Sequence, residues 1–226
     1  MSLRSVKPPH ETRTRILDAA EELFMQHGFG GTSMRQLTAK AAVNLAAVNY
    51  HFGSKDALIE AVFRRRLDPM NAGRIAELDR LEKACAGPLA PEAIIRAFVG
   101  ASLRMIEDAK CGGRNFIRLL GRTYTDPHKQ IRALIGQLYA PAMERFKSAF
   151  ERSLPQMPRD ELVWRIHFMF GTLAYTLAAT DTVQLIAGCK PEDRYDARLL
   201  EARLTAFLAA GLLAPLHDSA DVKKAA

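Results

Sequence analysis

Almost every window of this chain repeats its apolar residues at intervals of three and four, and none alternates them convincingly with period two. Such spacing builds one apolar stripe on a helix and cannot serve a half-buried strand, so the chain is predicted to be all-α. The expected helices are 11–27, 33–40, 45–51, 55–67, 70–85, 92–110, 114–124, 127–153, 159–187 and 193–213. Punctuation agrees with these bounds. Asp68-Pro69 and Asp126-Pro127 each read as a cap followed by proline at the first helical position, where its missing N–H costs nothing. Gly28 reads as the stop of the first helix.

With 226 residues, 48% of them hydrophobic, the chain can bury a full core. Lys and Arg number 32 against 25 for Asp and Glu, and the surplus is uneven: residues 1–66 hold ten basic and six acidic side chains, the rest 22 and 19. The positive field is therefore concentrated at the N-terminal end, where it could attract a polyanion, although charge alone suits a merely solubilising surface equally well. Cys85, Cys111 and Cys189 lie too far apart in sequence to form a metal-binding or redox pair, which suits a reducing cytoplasm. No apolar run follows Arg4 and Lys7 as in a signal peptide, and no strictly apolar stretch approaches the roughly 18 residues of a membrane span. A cytoplasmic protein with no membrane partner is expected. The chain has no nucleophile elbow, phosphate-binding glycine loop or paired-histidine zinc motif, so neither an enzyme nor a cofactor or metal is expected.

The N-terminal segment carries the sharpest pattern. Helix 11–27 places Ile16, Leu17, Ala20, Leu23 and Phe24 on one stripe. Ser33 and Gln36 then have capping-box spacing, and Asn44 can cap a further short helix after an Ala41-Ala42-Val43 corner. Two short helices joined by so tight a turn form a helix-turn-helix. In the second of them Leu45 and Val48 are expected to face inward. Ala46 and Ala47 are small enough to approach bases, and Asn49, Tyr50 and His51 supply hydrogen bonds; asparagine can pair with adenine and alanine can touch a thymine methyl. Thr32, Ser33, Arg35, Tyr50, His51 and Lys55 are better placed for phosphate. An ordinary small helical subdomain with polar surface groups is the alternative. The boundary falls near 55, giving a DNA-binding domain over 1–55 and a larger helical domain over 56–226.

These residues resemble the TetR family of bacterial regulators. Arg15-Ile16-Leu17-Asp18-Ala19-Ala20 to Gly28-Phe29, then Thr32-Ser33-Met34, then Asn49-Tyr50-His51-Phe52-Gly53-Ser54-Lys55-Asp56-Ala57-Leu58 match its N-terminal signature over residues 11–63. The resemblance implies an all-helical homodimer whose third helix enters the major groove, with contacts from Thr32, Arg35, Asn44, Ala46, Ala47, Asn49, Tyr50, His51 and Lys55. Ala42 departs from the pattern, which commonly has glycine there; if the turn needs a positive φ, alanine carries a cost. Val43 to Phe63, Phe116 to Gly121 and Trp164 to Met169 are also similar to the PsrA-like subgroup, whose members respond to long-chain fatty acids.

Helix 159–187 is apolar on two sides, with Leu162, Ile166, Met169, Leu173 and Leu177 on one stripe and Trp164, Phe168 and Tyr175 on another. It must be covered all round, either within the chain or by a second subunit. The family resemblance implies that the last two helices make the dimer, so Leu162, Ile166, Met169, Leu173 and Leu177 are assigned to that interface with Leu200, Leu204, Phe207, Leu208 and Gly211. A symmetric dimer would present two reading helices to a near-palindromic operator. For a hydrophobic effector the candidate lining is Phe98, Met105, Phe116, Leu119, Tyr139 and Met143, joined by Trp164, His167 and Phe168, with Arg118 or Arg122 as a carboxylate anchor. The same residues equally suit a plain core with the arginines in solvent, and then a regulator with no small-molecule ligand, constitutive or controlled by a protein partner. Helix 55–67, between the two domains, is expected to carry any signal.

Overall fold

The computed structural model describes residues 9–107, 113–123, 129–177 and 196–216, and among them every regular element is an α-helix. They are α1 (Pro9–Gly31), α2 (Met34–Ala41), α3 (Leu45–Phe52), α4 (Lys55–Ala84), α5 (Pro91–Glu107), α6 (Gly113–Thr123), α7 (Lys129–Ser153), α8 (Arg159–Leu177) and α9 (Ala197–Leu212). Asp126-Pro127, the segment 178–195 and the C-terminal tail lie outside the described residues.

Local chemistry sets the ends of the short helices. The Ser33 side chain accepts from the Gln36 N–H at 3.2 Å while the Gln36 side chain accepts from the Ser33 N–H at 2.8 Å, completing the expected capping box. Asn44 Oδ1 caps α3 through Ala47 N–H at 2.8 Å, and Ser54 caps α4 through Ala57 N–H at 3.1 Å. Gly28 breaks α1 with φ 72° and ψ 174°. Ala42 does adopt a positive φ, 50°, so its N–H meets the Ala39 carbonyl and the Val43 N–H the Thr38 carbonyl, a Schellman closure of α2. Arg15 reinforces this corner by donating to the Ala41 and Ala42 carbonyls.

The two helices expected at 55–67 and 70–85 are one. Asp68-Pro69 does not start a new helix; Pro69 lies inside α4. Proline there removes the hydrogen bond to the residue 65 carbonyl and normally kinks or breaks a helix. Tertiary burial keeps α4 continuous: Phe63, Leu67, Met70, Arg74 and Leu78 are all buried on one face while Pro69 is exposed. That face packs against α5 and α7, and the N-terminal half of α4 also meets α1 and α3. The expected boundary at 55 thus coincides with the first turn of a helix shared by both halves, and one apolar core runs from Ile16 to Leu212.

Two polar devices fasten the periphery. Arg65 pairs with the exposed Asp18 at 2.6 Å and with the largely buried Glu21, and Arg66 pairs with the same Glu21 at 3.1 Å, which ties α1 to α4. Arg165 on α8 donates to the carbonyls of Leu212, Ala214 and Pro215 at 2.7, 2.6 and 3.2 Å, satisfying acceptors at the end of α9 that have no helical partner.

Two stability changes follow. Glu21→Ala removes the carboxylate that Arg65 and Arg66 share and is expected to lose about 1–3 kcal/mol in denaturant unfolding, with faster hydrogen exchange across α1. Ala42→Gly relieves the left-handed alanine and is expected to gain about 0.5–1 kcal/mol in the same measurement.

Candidate nucleic-acid interface

The helix-turn-helix exposes the face on which sequence reading would have to occur. In α3, Val48 is the buried anchor, with Val43 and Phe52 partly buried on either side. Leu45, expected to face inward, is exposed: α3 has only about two turns, and its inner face is already filled by Val48. Ala46 and Asn49 are exposed, Ala47 is half-buried, and Tyr50 stands 83% exposed. His51 is half-buried, its ring 5.2 Å from Tyr50 in an edge arrangement. Arg35 on α2 is exposed on the same unit. An outward Asn and Tyr beside two alanines can reach base edges and phosphates without a side-chain clash.

One predicted contact is corrected. Thr32 is buried, and its hydroxyl is shared between the Leu23 and Gly28 carbonyls at 3.1 and 2.8 Å, so it closes the end of α1 instead of meeting phosphate. Lys55 is half-buried and donates one of its three ammonium N–H groups to the Thr32 carbonyl at 2.6 Å, which fixes its stem without using all of its donors. Ser33 and Asn44 stay exposed, but their side-chain oxygens serve as helix caps, which leaves the Asn44 amide nitrogen to turn outward. The Lys40 ammonium, 2.5 Å from Glu22, holds that carboxyl below the usual carboxylate range and links α2 to α1. A carboxyl depressed in the folded state contributes stability above its unfolded pKa and loses it as pH falls, so this link weakens in acid.

In the C-terminal half the two apolar faces of α8 differ from their assignments in burial. Leu162, Ile166, Met169, Leu173 and Leu177, expected at a dimer interface, are buried within the chain, where α8 meets α6, α7 and α9. Leu204 and Leu208 are likewise buried, with α9 lying along α5, and Leu200 is partly buried. Phe207 and Gly211 remain outward. Trp164, His167 and Phe168, expected to line an effector space, instead face outward from α8. Periodicity groups residues onto a face but does not say which of two apolar faces the chain itself covers.

Of the remaining effector residues, Phe98, Met105, Phe116 and Leu119 are buried core. Phe98 packs edge-on against Phe146 and Phe170 at 5.1 and 5.0 Å. Tyr139 and Met143, with Thr123, Arg132, Ile135, Gly136 and Phe170, line a hollow of about 290 Å³. The side chains of Arg118 and Arg122 lie outside the described residues. Sequence reading missed Arg74, 1% exposed and enclosed by α4, α5 and α7. Its signal was present: it occupies a core position on the Phe63-Leu67-Met70-Leu78 stripe. A separate cleft of about 560 Å³ lies between the DNA-reading unit and α7, walled by Phe29, Lys55, Ile59, Ile131 and Leu134. Among the described residues no helix is long and apolar enough to cross a membrane.

Comparison with known proteins matches both halves. The family model "Bacterial regulatory proteins, tetR family" covers residues 16–62, and "Tetracyclin repressor-like, C-terminal domain" covers 96–211, about half of the chain. The regulator UidR of Escherichia coli is 45% identical over 51 residues, 23% of this chain and 26% of UidR. SrpR of Pseudomonas putida is 36% identical over 70 residues, 31% of this chain and 33% of SrpR. The chain therefore spans only a quarter to a third of the length of these curated relatives. Among solved structures, GusR of Salmonella enterica aligns with TM-score 0.60 and 17% identity over 93% of this chain and 99% of its own. FadR of Bacillus subtilis, in complex with stearoyl-CoA, aligns with TM-score 0.63 and 13% identity over 90% of this chain and 99% of its own. At such identities these two show the fold. With a helix-turn-helix whose reading face is bare and family matches over both the N-terminal unit and the helical domain behind it, the chain belongs to the TetR family of bacterial DNA-binding transcriptional regulators.

Proposed function

We propose that the protein is a ligand-responsive repressor that binds a near-palindromic operator as a homodimer and is released by an effector with an apolar tail. The observation that carries the DNA half is the outward α3, with Asn49 and Tyr50 exposed on a helix held by caps at both of its neighbours. Two such helices must sit about 34–36 Å apart to meet successive major grooves.

Symmetry is supplied by the outer face of α8 and α9. Trp164 and Phe168 lie against each other and are exposed on α8, and Phe207 is exposed on α9, Phe168 at 61% and Phe207 at 67%. Aromatic area of that kind is a favourable anchor for a partner helix, and a two-fold axis through it buries the same residues from both subunits. Effector control is supported by the hollow at Tyr139, Met143 and Phe170 and by the unbroken α4. A ligand wedged beside α7 can shift α4, to which Glu21, Arg65 and Arg66 fasten the DNA-reading unit. The 560 Å³ cleft at Phe29 and Ile59 leaves room for that unit to move. A fatty acid or its CoA thioester, as in the FadR complex, is the effector class carried over from likeness. The dense packing of Phe98 against Phe146 and Phe170 favours a second reading, a regulator of the same fold without a small-molecule ligand.

A duplex selected from a randomised pool, titrated at fixed salt with and without fatty acid or acyl-CoA, tests both readings. Retention of no duplex at modest salt overturns the operator claim, and unchanged affinity with every effector favours the second reading. Asn49→Ala is expected to weaken binding to the selected duplex about 5- to 150-fold, the equivalent of about 1–3 kcal/mol, and to relax preference at one base position. Phe168→Asp is expected to convert the dimer to a monomer in analytical ultracentrifugation and to lower operator affinity with it.

A further inference from the structure

Arg74 carries a charge that the surrounding protein does not neutralise. Its Nε donates to the Phe98 carbonyl at 3.0 Å, Nη1 to Asn71 Oδ1 at 3.0 Å and Nη2 to Ser102 Oγ at 2.5 Å. The guanidinium lies 3.8 Å from the Phe98 ring centroid and 5.3 Å from that of Tyr139. Among the described residues none of its partners is a carboxylate, although the protein's other deeply buried arginine, Arg165, has Glu161 at 2.7 Å. Neutral acceptors and ring faces only partly replace the water lost on burial, and a buried cation ordinarily requires an anion. A guanidinium has five N–H groups. Three are used here, which leaves one on each terminal nitrogen, the pair that a carboxylate engages bidentately.

A hollow lies beyond the Tyr139 ring. Tyr139, one of the two rings flanking Arg74, also walls the 290 Å³ hollow with Met143, Ile135 and Phe170. That volume sits at the small end of ligand sites, which typically span about 300–1,000 Å³.

Resting on the ligand-responsive reading above, we propose that Arg74, with Asn71 and Ser102, is the anchor for the free carboxylate of an effector whose apolar tail occupies the Tyr139–Met143–Phe170 hollow. The anchor requires a free acid. A thioester or ester presents no anion at that end and gains nothing from the guanidinium. Tyr139 separates the charge from the hollow, so its ring swings aside when the carboxylate arrives.

The test is calorimetric titration of the full chain with hexanoate, octanoate, laurate and palmitate, each against its methyl ester and CoA thioester. At least one acid is expected to bind tenfold or more tightly than its ester and thioester. In Arg74→Met that preference is expected to vanish. Gly136→Phe, at an exposed helical position with no atom within 4 Å of an added Cβ, is expected to fill the hollow and weaken acid and ester alike. Equal affinity of every acid and its ester in the wild-type chain overturns the anchor without recourse to any variant, as does a preference that survives in folded Arg74→Met. Operator affinity read in the same samples separates the two claims. An acid held by Arg74 with duplex binding unchanged upholds the anchor and overturns effector control, and duplex binding with no acid preference overturns the anchor alone.

Discussion

Continuous burial along α4 is the constraint on which the rest of the structure depends. Thirty residues run from the cap at Ser54 to Ala84 without interruption, and a proline in the middle does not divide them. The lost hydrogen bond and the strain at Pro69 are outweighed by Leu67, Met70, Arg74 and Leu78, which keep the same register on either side. Because α4 is one body, whatever α5 and α7 do to its second half is felt by its first. The ion pairs from Arg65 and Arg66 to Glu21 fasten α1 to that first half. Had the helix broken at Asp68, the two halves would be joined only by a loop, and no rigid lever would link them.

The DNA-reading unit shows how a short helix can remain bare. Leu37 and Val48 are the only fully buried large side chains of α2 and α3, far less than an isolated helix of eight residues would need. Caps from Ser33, Asn44 and Ser54, the Schellman corner at Ala42 and the reach of Arg15 satisfy the backbone groups that packing does not protect. Side chains released from structural duty can then be chosen for a partner. Asn49 and Tyr50 are of this kind, whereas Thr32, which resembles a phosphate contact in sequence, is used up in closing the end of α1.

The outer domain poses the opposite problem, an excess of apolar surface. One stripe of α8 is covered by α6, α7 and α9, and the second carries Trp164 and Phe168 into solvent, as α9 carries Phe207. Soluble monomers seldom leave so many large aromatic side chains together on one surface, which is the physical ground for assigning this face to a second copy of the chain. Inside, aromatic rings at Phe98, Phe146 and Phe170 interlock, and the same cluster receives the buried Arg74. A polar group at the centre of an otherwise apolar packing is where specificity for a ligand could be built, since it is there that a missing partner matters most.

By itself the sequence determined the helical class, the helix-turn-helix and its caps at Ser33 and Asn44, while the positive φ at Ala42 was left open by the sequence and supplied by the structure. The class, the motif and its caps are local properties, fixed by residues three or four apart, and they are legible for that reason. Only the tertiary structure decided that α4 ignores Pro69, that the Leu162–Leu177 stripe turns inward and the Trp164–Phe168 stripe outward, and that Arg74 is buried while Leu45 is not. Each of these depends on which neighbouring helix arrives to cover a surface. Periodicity tells which residues share a face, but covering that face is a contact between segments distant in sequence, and the chain settles it only once the core is packed.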